Sequence, residues 1–273
     1  MKTRIYDFFS HQPYLEHNRN YQHYSPKLGD PMHGIIWDAY QVDDFDATLE
    51  LALPDVCADI MTLYTDKTSY TYFMGGTERM RTMNDIPYLA DVKTIMGIKF
   101  CPGSIGNIFT EELCDVAGNQ IDISDIMVKG NDVQNQLRYA EDFGQRIRIL
   151  SRYINGRLDD GYEVDSLASY VTRRVMATHG AIKIKAICDE TGYSDRYIRK
   201  VMKRKLGTNL KTFSQLVQLQ WTYDVQKSQS SIKNIAALAL ECGYYDQSHM
   251  DLAYKKLTGM LPKDVFNLYE TLN

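Results

Sequence analysis

Residues 234–262 read NIAALALECGYYDQSHMDLAYKKLTGMLP, and this stretch decides the fold of the C-terminal part of the chain. Asn234 can cap a helix with its side-chain oxygen. Ile235, Leu238, Ala239 and Cys242 then share one helical face. Gly243 permits the positive φ at which that helix must stop. Asp246 can cap a second helix with Met250, Ala253, Tyr254 and Leu257 as its apolar stripe. Gly259 ends that helix, and Pro262 sits just inside a third, where a missing N–H costs nothing. Helix, glycine turn, helix is the helix-turn-helix pattern, whose second helix suits the DNA major groove.

The pattern occurs twice. Ile184, Ile187, Cys188 and Gly192 repeat the spacing of Ile235, Leu238, Ala239 and Gly243, displaced by 51 residues. Ser194 caps a second helix with Ile198, Val201, Met202 and Leu206 facing inward, ended by Gly207. After the first glycine the downstream copy is one residue longer. A single glycine-cornered hairpin is common in all-α cores; two in tandem, at about 183–207 and 234–259, are far more specific. They are joined by a helix over about 208–228, with Leu210, Phe213, Leu216, Val217, Trp221 and Val225 on its apolar face. About 20 helical residues span roughly 30 Å, close to the roughly 34 Å of one turn of B-DNA. Such a rod can hold two helices in successive major grooves on one side of a duplex.

Gly243-Tyr244-Tyr245-Asp246-Gln247-Ser248-His249, Ala253-Tyr254-Lys255-Lys256 and Thr258-Gly259-Met260-Leu261-Pro262, with Gly192-Tyr193-Ser194, Ile198 and Lys203-Arg204-Lys205-Leu206-Gly207 upstream, resemble the tandem helix-turn-helix domain of the AraC/XylS family of bacterial transcription regulators. The resemblance runs from about Leu167 to Leu268, roughly the last two-fifths of the chain. This chain has Met202 and Met250 where the family usually has aromatic residues. It has Gln218 and Thr222 where the family often has arginine and alanine. The resemblance implies sequence-specific binding to a double-stranded DNA operator, a homodimer, and contact with RNA polymerase if the regulator activates.

Charge fits two halves with different partners. Residues 165–273 hold 16 Lys and Arg against 10 Asp and Glu, a net +6, while residues 1–164 hold 15 against 25, a net −10. An acidic regulatory half joined to a basic DNA-binding half shows this asymmetry. On the upstream recognition helix, Asp195 to Leu206, the residues facing outward are Arg196, Tyr197, Arg199, Lys200, Lys203 and Arg204. Arginine can grip guanine O6 and N7 with two parallel donors, while lysine is a point charge suited to phosphate. Arg196, Arg199 and Lys200 are therefore assigned to base edges, and Lys203 and Arg204 to phosphates; the bland alternative is a solvated basic helix face. The downstream helix offers Gln247, Ser248, His249, Asp251 and Leu252, with Lys255 beyond them for phosphate. Glutamine can pair with adenine, and aspartate accepts only from a donor such as cytosine N4.

The N-terminal half reads as strands. Gly34–Tyr40, Thr48–Leu53, Asp59–Tyr64, Ser69–Gly75 and Val92–Phe100 are bounded by Pro, Gly and Asp turns. Leu53-Pro54-Asp55-Val56-Cys57-Ala58-Asp59-Ile60 and Gly97-Ile98-Lys99-Phe100-Cys101-Pro102-Gly103 resemble the cupin-like barrel found in one branch of these regulators, whose role is taken to be sensing or dimerisation. Residues 1–30 read as irregular with a short edge strand. Val133 to Leu158 reads as a helical hairpin capped by Asn131 or Asp132, packed on the barrel or against a second subunit. Gly156 to Asp165 is the best boundary. The expected organisation is α+β: a β-rich sensor over 1–130, a helical segment for dimerisation or linkage over 131–164, and the tandem helix-turn-helix domain over 165–273.

Trp37, Tyr40, Tyr64, Tyr72 and Phe73 are the candidates to line a pocket for a small-molecule effector, weighed against an ordinary aromatic core. His11, His17 and His23 recur every six residues, a spacing that suits no single helical or strand face, and read as surface histidines rather than a metal site. Five scattered cysteines form no C-x-x-C pair, so no zinc or other cofactor is expected. Cys188 and Cys242 fall on core faces, and a redox role for Cys57, Cys101 or Cys114 would need an exposed, low-pKa thiol. A cupin enzyme would need clustered His and Glu on adjacent strands, and a fused DNA-repair methyl acceptor would need a cysteine zinc cluster; neither is present, so the chain does not read as an enzyme. A constitutive DNA-binding protein whose N-terminal half only dimerises is the competing reading. No apolar run approaches the roughly 20 residues of a membrane span, and MKTRIYDFFSHQPY lacks the apolar core of a signal peptide. A cytoplasmic location without membrane contact is expected.

Overall fold

Alternating burial along the strands gives the N-terminal sheet a packed core on each face. The computed structural model describes residues 10–45, 51–55, 57–76, 81–82, 89–105, 108–110, 112–160, 165–228 and 234–270. In chain order, the first elements are α1 (Pro13–Glu16), β1 (Tyr21–Tyr24), β2 (Ile36–Asp43), β3 (Leu51–Ala52), β4 (Asp59–Thr65), β5 (Ser69–Met74), β6 (Arg81–Thr82), β7 (Val92–Phe100), α2 (Leu113–Val116), β8 (Gln120–Asp122) and α3 (Ile123–Ile126). Six strands form an antiparallel sheet in the order β1-β2-β7-β4-β5-β8, and β3 pairs with β6 separately. Cross-strand partners Ile60, Phe73 and Ile98 lie on one face, against Val133, Leu137, Leu150 and Ile154 of α4 (Gly130–Arg138) and α5 (Phe143–Asp159). Their neighbours Met61, Leu63, Ile95 and Val42 point the other way, onto Tyr14, Leu15 and Leu89. Period-two alternation thus splits each strand between two cores. Gly97 is needed here: a Cβ on it would meet the ring of its cross-strand partner Tyr40 at 2.5 Å.

The expected strands are present, with β1 as the edge strand of the N-terminal segment. Residues 48–50 of the expected second strand, and 161–164 of the expected boundary, lie outside the described residues. The helical hairpin is α4 and α5, but α4 starts earlier than its expected caps, with Lys129 in the left-handed region at its N-cap and Asp132 inside the first turn. No helix among the described residues is long and apolar enough to cross a membrane.

The rest is helical: α6 (Ser166–Ala177), α7 (Ile184–Thr191), α8 (Asp195–Leu206), α9 (Leu210–Ser228), α10 (Ile235–Glu241), α11 (Gln247–Thr258) and α12 (Pro262–Glu270). Ile187, Ile198, Val201, Met202 and Phe213 pack with α6 into one core; Leu238, Met250, Tyr254, Leu257, Val265 and Tyr269 form a second with the far end of α9. Neither core belongs to the helices alone. Leu53, just after β3, is buried in the second, and Trp37 packs against the first.

Candidate DNA-recognition surface

Each recognition helix is delimited by local chemistry. The Ser194 hydroxyl accepts from the Tyr197 N–H at 3.3 Å, and Asp246 accepts from the His249 N–H at 2.8 Å. Gly207 and Gly259 close α8 and α11 in the left-handed conformation, at φ 72° and 77°. Both helices are 12 residues long. Met202 and Met250 are fully buried, so both methionines serve as core side chains. The 19-residue α9 joins the units at the length the sequence requires. Gln218 donates to the Cys242 carbonyl at 2.9 Å, satisfying an acceptor at the end of α10, so this departure from the family pattern has a structural use here.

The upstream face is exposed and basic. Arg196, Tyr197, Arg199, Lys200, Lys203 and Arg204 all lie on the surface, and the Tyr197 ring stacks on Tyr193 at 5.0 Å. Arg199 is held by Asp195 one turn back, with Nη2 donating to Oδ2 at 3.2 Å and a second contact from Nε. An exposed i,i+4 pair of this kind is weak and can yield to a base or phosphate. Lys203 donates to the Gly207 carbonyl at 2.9 Å, capping the C-terminus of α8. Arg204 faces Glu112 beside α2 at 3.6 Å, so its charge is shared with the N-terminal half. Downstream, Gln247, Ser248, His249 and Lys255 are exposed and Asp251 is half-buried. His249 turns inward in part: its Nδ1 accepts from the Tyr245 N–H at 3.3 Å, and its ring meets Tyr244 edge-on at 5.7 Å.

The N-terminal half grips this surface from behind. Gln220 of α9, fully buried, accepts from the His11 N–H at 2.8 Å and donates to the Pro54 carbonyl at 2.9 Å. The His11 ring spans Glu16 at 3.0 Å and Asp224 of α9 at 2.8 Å, and Lys227 adds a bond to Glu16 at 2.7 Å. Burial works against the His11 charge, but Asp224 and Glu16 outweigh it and raise the imidazole above its ordinary value. Burial likewise opposes the Glu16 charge, yet His11 and Lys227 bring its carboxyl down to about 2. His11 is therefore not the surface histidine its spacing suggested. At α8, the approach of α2 is so close that a Cβ on Gly207 would meet the Ala117 Cβ at 2.5 Å.

The five aromatic residues do not form one pocket. Phe73 and Tyr64 belong to the core under α4 and α5, Tyr40 and Tyr72 to the opposite one, and Trp37 to the upstream helix-turn-helix core. Adjacent residues on a strand face opposite ways, which separates Tyr72 from Phe73. A bulge between Ile36 and Asp38 releases Trp37 from the ladder. Tyr64 donates to the Leu137 carbonyl and lies under the Arg146 guanidinium; Tyr40 donates to Asp59. A small cleft opens elsewhere, between the sheet end and α8, lined by Ala58, Cys101, Ile105, Leu113, Ala117 and Leu206. Burial pushes the Cys101 thiol up to about 12 and the Cys57 thiol well above its usual value, the opposite of what a redox sensor needs.

A match to a family model agrees with the paired helices. A family model described as a helix-turn-helix domain matches residues 187–267. The HTH-type transcriptional activator RhaR of Escherichia coli K12 is 25% identical over 123 residues, covering 44% of this chain and 43% of RhaR. The match thus spans less than half the length of that relative. RhaR of Shigella flexneri serotype 5b gives the same values. Among solved structures, ToxT of Vibrio cholerae aligns over 92% of this chain and 99% of its own at 11% identity and a TM-score of 0.42. The doubled, capped and glycine-closed helix pairs, the basic outer face of α8 and the matched family model together make the C-terminal region of this chain a tandem helix-turn-helix domain, similar in sequence to that part of the transcriptional activator RhaR.

Proposed function

We propose that this protein is a sequence-specific transcription regulator that binds a double-stranded operator as a homodimer and responds to a small molecule through its N-terminal half. The division into a sensor over 1–130, a helical segment over 131–164 and a DNA-binding domain over 165–273 belongs to this proposal. The observation that carries it is the pairing of α8 and α11, each with an exposed polar face, at the two ends of α9. Effector control is supported by the grip on α9: His11, Pro54 and the buried Gln220 tie the connecting helix to the sheet, so a shift in one half strains the other. The cleft beside Leu206 is a better place for a small ligand than the scattered aromatics, because it touches the sheet end and α8 at once. RNA polymerase is the further partner if the regulator activates.

The two units divide the work unequally. Arg196, Arg199 and Lys200 put positive charge at the base-reading positions upstream, whereas Asp251 puts an acid on the downstream helix. A cation near phosphate helps on every DNA, and an acid helps only opposite a base-edge donor. Arg199→Ala should cost about 1–3 kcal/mol at the operator and relax preference at one base position. Asp251→Ala should leave operator affinity unchanged or raise binding to all sequences. Titration of both variants of the intact chain against operator and scrambled duplexes at one salt concentration checks this. A larger operator loss for Asp251→Ala would reverse the ranking of the units.

A further inference from the structure

The two recognition helices can be superposed in register from their ends. Ser194 and Asp246 are N-caps, Gly207 and Gly259 are left-handed C-caps, and both helices hold 12 residues. The buried positions then correspond in turn: Ile198 with Met250, Val201 with Ala253, Met202 with Tyr254. On the outer face Arg196 corresponds to Ser248, Arg199 to Asp251 and Lys203 to Lys255. Lys200 corresponds to Leu252.

Leu252 is an apolar side chain where the upstream helix has a cation, and it is 70% exposed. Nothing in helix packing requires it, since Met250, Ala253, Tyr254 and Leu257 already fill the inward stripe. Its neighbours one turn back and one residue back are Ser248 and Asp251, both short and polar. An isobutyl group can form no hydrogen bond. Of the features on base edges in the major groove, only the C5 methyl of thymine is apolar. An apolar side chain at a base-reading position therefore selects thymine, by excluding water from two hydrocarbon surfaces at once.

We propose that Leu252 is a specificity-determining residue that reads a thymine methyl group in the downstream half of the operator. This rests on the DNA-binding reading above and adds to it one base identity and the chemistry that recognises it. The downstream helix then reads by shape and apolar contact where the upstream helix reads by charge and hydrogen bonding.

The test uses the intact chain and duplexes selected from a randomised library for tight binding. Each thymine of a selected duplex is replaced in turn by deoxyuridine, which removes the methyl group and leaves base pairing intact. One thymine in the downstream segment should show a methyl dependence of about four-fold in affinity, the value of one buried methyl-sized group. Leu252→Ala should bind the thymine duplex more weakly by a similar factor and lose the discrimination between thymine and uracil at that position. Arg199→Ala should keep that discrimination while binding more weakly overall. Leu252 is exposed, so its truncation should leave the melting temperature unchanged, which separates a reading defect from a folding defect. Discrimination that persists in Leu252→Ala, or no methyl-dependent thymine in the downstream segment, would overturn the proposal and leave Leu252 as a contact for something other than DNA. A library from which nothing is enriched would remove DNA reading altogether, and the proposal with it.

Discussion

Lys99→Met is expected to destabilise the protein by about 3–5 kcal/mol, the cost of removing one partner from a buried ionic cluster. Lys99 is on the central strand β7, paired across the sheet with Asp59 of β4 and Asp38 of β2. Its ammonium lies 2.7 Å from Asp55, which also accepts from Ser10 at 3.0 Å and Gln12 at 2.9 Å. Burial works against the Lys99 charge, but Asp55 and Asp59 outweigh it and hold its pKa well above the usual lysine value. Burial also pushes the Asp59 carboxyl up to about 7, against the pull of Lys99. Methionine keeps the bulk of lysine and removes the charge, leaving two buried carboxylates without their cation.

The sign of the pH dependence follows from Asp59. A carboxyl that holds its proton up to about 7 in the folded state, but releases it near about 3.9 when unfolded, makes the folded state the stronger proton binder in that window. Its contribution to stability therefore falls as pH rises from about 4 to 7. Loss of Lys99 raises the Asp59 carboxyl further, so the variant's deficit should be larger at pH 8 than at pH 5. Urea denaturation at both pH values measures it. An equal deficit at both, or a deficit below about 1 kcal/mol, would show that the cluster is solvated rather than buried.

The second large effect is that of salt on DNA affinity. Arg196, Arg199, Lys200, Lys203 and Lys255 are exposed on the two recognition helices. Lys256 is exposed as well, and its ammonium donates to Gln215 of α9 at 2.9 Å. With about six phosphates neutralised by these and neighbouring groups, affinity should fall roughly 10³-fold between 50 and 200 mM salt, about 4 kcal/mol. On the proposed assignment of Lys203 to phosphate rather than to a base edge, the slope should drop by about one in Lys203→Ala. Fluorescence anisotropy across a salt series supplies both slopes. A slope near zero would mean that these cations do not meet phosphate, with Arg199 staying on Asp195.

What was legible in the sequence is what is local. Cap residues, closing glycines and apolar stripes act within one or two turns of helix, so Ser194, Gly207, Asp246 and Gly259 mark α8 and α11 directly. The strands β2, β4, β5 and β7 were legible for the same reason: their turns and alternation are read residue by residue. The grip on α9 was not, because His11 and Asp224 are 213 residues apart in sequence and nothing near either one names the other. Lys99 stood in a run of apolar residues, a hint of a buried cation, but Asp55 and Asp59 are brought to it only by sheet pairing. The aromatic pocket failed for a physical reason that the sequence did contain, since Tyr72 and Phe73 are adjacent on one strand and cannot share a face. Trp37 needed the bulge to be known before its direction could be.

Two recognition helices held by one rigid rod should leave a particular mark on DNA. Hydroxyl-radical footprinting of the intact chain on a duplex selected for tight binding reads that mark directly. Two protected segments per subunit are expected on one face of the duplex, about one helical turn or roughly 34 Å apart, and both should disappear on a scrambled duplex at the same salt concentration. A single protected segment per subunit, or equal protection of the scrambled duplex, would contradict recognition by a tandem pair.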